Sequence, residues 1–184
     1  VPVIPRGSGS PFRLAINYIS YVIGGVFTSL FLLRNKLDII FVFEPSPITI
    51  GIPAIFIKKM KNIPLIFWVL DLWPESVVSA SSLNSTLVPN LLIPIVKFIY
   101  RHCDRILVSS KGFIQSIVSK GVPNEKIEYY PQWAEALFKP MKRGNYLLKD
   151  IPEDSFKIMF AGNIGEAQDF PSILEAARLL KDKS

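Results

Sequence analysis

The residues of this chain best suited to chemistry are one acidic position, Asp71, and a glycine-bounded turn. Asp71 follows the apolar run 64–70 and opens the segment DLWPE at 71–75. A carboxylate there would repel a diphosphate. It could accept hydrogen bonds from sugar hydroxyls, or act as a base if its pKa were raised; capping the turn that follows is the plainer role. Trp73 offers an apolar wall for a sugar ring or a plug for a domain edge. Near the end of the chain, Gly162-Asn163-Ile164-Gly165 joins the apolar run 156–161 to a helical pattern that starts near Phe170. Glycines permit a sharp turn and close backbone approach, and free amides at a helix start can hold phosphate. Asp169 is placed to cap that helix, and Pro171 is tolerated in its first turn. The spacing matches neither G-x-G-x-x-G nor a P-loop, so an ordinary strand-to-helix turn stands beside the anion-binding reading.

Other chemistries lose support. His102 is the only histidine and precedes a strand, at the wrong end for catalysis, so a Ser-His-acid arrangement finds no base. A single Cys103 excludes an internal disulfide, and no paired Cys/His spacing suggests zinc. The 21 Lys and Arg against 15 Asp and Glu give a net charge of +6. The positive residues are dispersed and no nucleic-acid module accompanies them, which argues against a nucleic-acid partner. At 49% hydrophobic residues, the 184-residue chain fills one core and begins another.

The elements that must position these residues are short. Residues 38–43, 64–70, 104–109 and 126–130 read as buried strands. Helical stretches are expected at 48–60, with Pro53 awkward inside it, at 86–102 with a kink near Pro94, and from a Ser110 cap to Lys120, stopped by Gly121. Residues 76–85 read as loop or a short helical turn, and 156–161 as a further strand. Alternating strands and helices give an α/β fold, a parallel sheet with helices on both faces. Ligands of such sheets gather beyond the carboxyl ends of the strands. There the sequence puts Glu44 and Ser46, the 71–75 segment with Trp73 and Glu75, Ser109 and Lys111, Gln132 and Trp133 with Glu135 after them, and the 162–165 turn. The domain boundaries expected are 1–135, a connection at 136–154, and 155–184 as the opening of a second domain whose remainder is missing.

Residues 14–33 carry no charge and are bracketed by Arg13 and Arg34. Their length suits a bilayer crossing. Asn17, Ser20, Thr28, Ser29 and the Gly24-Gly25 pair dilute them, which favours a helix partly buried and partly laid on a membrane surface.

Taken in order, FVFEPSPITIGIPA, FWVLDLWPESV, the stretch from CDRILVSS to ALFKP, and FKIMFAGNIGEAQDFPSILEAARLL resemble family 4 glycosyltransferases. The nearest likeness is to bacterial enzymes of O-antigen, capsule and colanic acid assembly that move fucosamine-type sugars onto lipid carriers. The resemblance implies two Rossmann-like domains facing across a cleft, a nucleotide-diphosphate sugar donor (UDP-linked), retention of configuration, and no cofactor or metal. It also implies a lipid-diphosphate-linked acceptor and work at the cytoplasmic face of the bacterial inner membrane, peripheral or monotopic. Gly162, Asn163, Gly165 and Gln168 would line the donor diphosphate, with Glu135 beside the donor. Asp71 would occupy the position, His in many relatives, that reaches the donor sugar and takes part in catalysis. Glu44, Ser46, Trp73, Glu75, Ser109, Lys111 and Trp133 would line the acceptor side. Departures are visible: Gln168 stands where many relatives have lysine, Asn163 where many have arginine, and Pro131 to Glu135 replace the commoner Pro-Asn-Gly-Val-Asp. The early glycine-rich loop and the late Glu-x7-Glu motif fall outside these residues. Two rivals stay open. A sugar-nucleotide epimerase would want a dinucleotide fingerprint and a Tyr-x-x-x-Lys pair, which are not seen here; a non-catalytic membrane scaffold could share the fold.

Overall fold

The computed structural model describes residues 1–7, 10–80, 87–140, 157–162, 164–165 and 168–181. The chain divides into two compact units, Val1–Pro131 and Gln132–Ser184. The first is an α/β Rossmann-like unit. Its parallel sheet has the strand order β1-β2-β3-β4, with β1 Ile40–Glu44, β2 Leu65–Val69, β3 Arg105–Val108 and β4 Ile127–Tyr129. Phe43 is in register with Trp68, Trp68 with Leu107, and Leu107 with Glu128.

Helices alternate with the strands of this sheet as the sequence predicts. α1 spans Pro11–Leu32; Ser10 caps it by accepting a hydrogen bond from the Arg13 amide at 3.4 Å, and Pro11 occupies its first turn. A short 3-10 turn at Ile48–Ile50 leads into α2, Gly51–Lys61. The proline expected to disturb this helix instead lies in its first turn. Pro53 needs no N–H there, because the first amides of a helix have no carbonyl partner. Asn62 ends α2 in the left-handed conformation, φ 53°. α3 is Glu75–Ala80, a six-residue helix where a loop or a short helical turn was expected. α4, Leu87–His102, continues through Pro94. α5 is Phe113–Ser119 and starts later than expected. The Ser110 hydroxyl does not cap it; that oxygen accepts from the Gly112 amide inside the preceding turn. Gly121, with φ 92°, closes the region as its sequence position implied.

Each step from strand to helix to the next strand moves in one direction across the sheet. Right-handed crossovers then bring α2, α4 and α5 to the same face. The core lies there: Leu65, Phe67 and Val69 from β2 and Ile106 and Val108 from β3 meet Ile55, Val96, Ile99, Tyr100 and Ile117. On the other face Trp68 is buried beneath the rings of Phe43 and Tyr130, at 5.4 and 5.1 Å, and its indole N–H donates to the Tyr130 carbonyl.

α1 packs on α2 with its polarity turned inward. Asn17, Gly25 and Ser29 are buried, and Gly25 is close enough to Pro53 that a Cβ would fall 2.9 Å from the ring. Phe12, Ile19, Ile23, Phe27, Leu30 and Phe31 face outward, Phe12 at 75% exposure and Phe31 at 63%.

In the second unit α6 spans Phe170–Leu180. The strand expected at 156–161 does not form over its described residues, 157–161, which have no regular structure. A parallel strand needs a neighbour to take up its amides and carbonyls, and no strand is present among the described residues of this unit. Ile158 and Met159 are accordingly exposed. Most of the connection expected at 136–154 lies outside the described residues.

Candidate active site at the carboxyl edge of the sheet

The end of β1 and the loop after β2 bring together two of the carboxyl-edge residues, Glu44 and Asp71. Glu44 is the last residue of β1, not a loop residue beyond it, and is fully buried. Its Oε2 accepts a hydrogen bond from the Asp71 amide at 3.4 Å, whereas Oε1 has no protein partner. Burial, and secondarily the neighbouring Asp71 charge, push the Glu44 pKa up to about 8 against the opposing backbone hydrogen bonds. At neutral pH Glu44 is therefore largely protonated. Thr49 Oγ1, Ser76 Oγ and the Tyr100 hydroxyl are also buried without a protein partner.

Asp71 is half-buried. Its Oδ2 accepts from the Trp73 indole N–H at 3.2 Å, so one carboxylate oxygen is fixed and the other is left to accept elsewhere. Trp73 is 5% exposed and belongs to the core. It orients Asp71 and presents no open ring face. Tyr18 of α1 meets Trp73 edge-on at 6.2 Å, and the Arg6 guanidinium lies 5.6 Å above the Tyr18 ring. Burial raises the Tyr18 pKa, Arg6 lowers it and Asp71 raises it, as expected for a hydroxyl lying between a cation and a carboxylate.

Ser46 sits in the loop after β1 with φ 137°, a conformation costing on the order of 1–3 kcal/mol for a residue with a Cβ. It borders a groove of about 420 Å³, whose polar lining is Arg6, Asn17, Tyr18, Tyr21 and Ser46. Sequence reasoning missed Arg6, Asn17, Tyr18 and Tyr21. Arg6 lay in a stretch read only as a Pro/Gly/Ser-rich loop. The others fall at i, i+1 and i+4 of a helix judged by its hydropathy, and that spacing was the available signal.

The remaining candidates separate. Glu75 turns from the edge to accept hydrogen bonds from Ser116 Oγ at 2.5 Å and Lys120 Nζ at 2.6 Å, tying α3 to α5. These bonds hold its carboxyl below the usual range despite burial. Ser109 follows β3, its amide donating to the Val69 carbonyl. Lys111 lies in an exposed turn with its ammonium 5.2 Å from the Tyr129 ring centre.

The second unit carries the other group. Trp133 and Glu135 are exposed, and the Glu135 carbonyl accepts from the Phe138 amide. Gly162 and Gly165 are exposed, and neither adopts a positive φ. A Cβ at 162 would meet the Phe160 ring at 3.2 Å, and one at 165 the Gln168 side-chain oxygen at 3.0 Å, tight contacts that a small shift of these exposed side chains would relieve. The Gln168 amide donates to the Gly165 carbonyl. Asp169 is the N-cap of α6 by position, in the left-handed conformation, but its side chain makes no capping bond. Asn163 lies outside the described residues. Among the described residues, no three His, Cys, Asp or Glu side chains gather as a metal site would need.

With this geometry in view, one similarity bears on function. Over 87 residues the chain is 31% identical to WcaI of Escherichia coli (strain K12), named as a colanic acid biosynthesis glycosyl transferase. The match covers 44% of this chain and 21% of that relative, so the chain spans about a fifth of its length. No family model matches.

Proposed function

We propose that this chain is part of a glycosyltransferase acting in bacterial surface-polysaccharide synthesis. The observation that carries this reading is the 87-residue similarity to a glycosyl transferase. The placement of Glu44 and Asp71 at the carboxyl edge of a parallel sheet supports it, because ligands of such sheets collect at that edge. The donor is a UDP-linked N-acetylated amino or deoxyamino sugar, and the acceptor a lipid-diphosphate-linked saccharide. Asp71, held by Trp73, accepts hydrogen bonds from sugar hydroxyls. The amides of Gly162 and Gly165 and those at the start of α6 receive the departing diphosphate, the kind of charge stabilisation that needs no metal. Configuration is retained by front-face substitution, since a covalent route would require a carboxylate placed at the anomeric carbon. Epimerase and scaffold readings are the rivals; tightly bound NAD would favour the first.

Membrane association follows from α1. Its six outward apolar side chains are each only partly exposed, so leaving water fully would gain roughly 1–2 kcal/mol apiece and about 5–10 kcal/mol together, comparable to the net stability of a domain. With one face packed on α2, α1 lies on the cytoplasmic surface of the inner membrane instead of crossing it. Arg34, Lys36 and Lys61 line a depression at its C-terminal end, suited to anionic headgroups.

The second unit buries none of its described residues fully, so it requires further chain to complete a donor domain, and the 184 residues alone transfer sugar poorly. The test is transfer of labelled sugar from several UDP-sugars to a lipid-diphosphate-sugar, by this chain and by a longer product of its gene. The longer product should transfer, and Asp71→Asn should slow it by roughly a hundredfold, about 3 kcal/mol of barrier. Absence of transfer by the longer product with every donor would defeat the reading, and full rates from this chain would defeat the division into domains.

A further inference from the structure

We propose that the groove between α1 and the loop after β1 is a subsite for the diphosphate of a lipid-borne substrate, with Arg6 as its anion-binding residue. This deepens the glycosyltransferase reading and rests on it for the identity of the lipid.

The observation behind it is a cation without an anion. The Arg6 Nε donates to Asn17 Oδ1 at 3.3 Å, and the guanidinium leans over the Tyr18 ring. Among the described residues no carboxylate pairs with it. An arginine carries five N–H donors, so four remain available in a planar fork whose geometry matches phosphate oxygens. The fork is also anchored. Asn17 is buried and its amide donates to the Ile4 carbonyl at 2.6 Å, while Ser20 Oγ accepts from the Ile4 amide at 3.0 Å. These bonds tether the 1–7 segment to α1 and hold Arg6 over the groove. Hydroxyls of Tyr18, Tyr21 and Ser46 line the same groove, supplying neutral donors beside the charge.

Lipid attachment is argued from the other side of the same helix. Tyr18 lines the groove, and the next residue, Ile19, opens the outward apolar stripe that continues through Ile23 and Phe27. A molecule that seats an anionic group beside Arg6 therefore has an apolar surface one residue away for its chain. A free phosphate would use only the first of these features.

The experiment uses the full 184-residue chain and phosphatidylcholine vesicles doped with a polyprenyl diphosphate. Vesicles carrying equal charge as phosphatidylglycerol serve for comparison, and free pyrophosphate serves as competitor. The expected result is roughly tenfold tighter binding to the diphosphate vesicles than to the charge-matched ones, with competition by pyrophosphate. Arg6→Gln should abolish that preference and leave phosphatidylglycerol binding within about twofold, since other basic residues supply the general attraction. Tyr21→Phe should weaken the preference partially, and Lys181→Gln, which removes the same charge elsewhere, should keep it. Circular dichroism confirms that the variants fold. Equal binding to both vesicle types would overturn the proposal, as would an undiminished preference in Arg6→Gln or failure of pyrophosphate to compete. None of these readouts involves sugar transfer, so absence of transfer defeats the enzyme reading alone, and loss of the vesicle preference defeats this one alone.

Discussion

Glu44 shows how one buried carboxyl couples fold to pH. Its native pKa, about 8, stands above its ordinary value of 4.5, so the folded state holds the proton more tightly than the unfolded chain does. The linkage has a definite sign: stability is fully present below about pH 4.5 and is lost progressively as pH rises toward 8. The upper bound on that loss is on the order of 5 kcal/mol. Asp71 and Tyr100 are the titratable neighbours that face it. Glu44→Gln keeps an oxygen for the Asp71 amide and removes the titration. Thermal melts from pH 5 to 9 should therefore fall for the parent chain and stay nearly flat for the variant; parallel curves would show that Glu44 is already ionised in the native state. The sequence placed Glu44 and Asp71 at one edge, because strand ends can be read from apolar runs closed by proline. It could not show that Glu44 is fully enclosed, or that Trp73 serves Asp71 with its N–H, since both depend on how separate loops pack.

At the scale of elements, α1 adds most to a reading based on pattern. Hydropathy revealed a long uncharged helix, whereas its inward polar and small side chains became evident only when Pro53 of α2 supplied the surface they fit. The short strands were legible because each is an apolar run bounded by turn residues. The expected strand at 156–161 failed for the complementary reason: its pattern is adequate, but pairing partners are a property of the assembled sheet. The α1 orientation gives a direct prediction. Ile19→Ser, Ile23→Ser and Phe27→Ser together should change folding stability by no more than about 1.5 kcal/mol, because exposed positions contribute little. Cosedimentation with phosphatidylglycerol vesicles should drop at least severalfold. A melting temperature lowered as far as core truncations lower it would mean that this stripe packs inward.

Across the whole molecule, structural weight is unevenly distributed. Val1–Pro131 contains the buried core, whereas the described residues of Gln132–Ser184 leave Leu174, Leu179 and Leu180 open to solvent. Removing residues 132–184 should accordingly leave the melting transition of the first unit within a few degrees, checked by circular dichroism. A collapse of that transition would show that the second unit supports the first. The strand order adds a different consequence. Because its strands follow one another without a reversal, β1 and β4 are both flanks, and the helical layer grows alongside each added strand. Such a sheet can be widened at either flank by grafting another strand-and-helix repeat, with the contacts already inside left as they are.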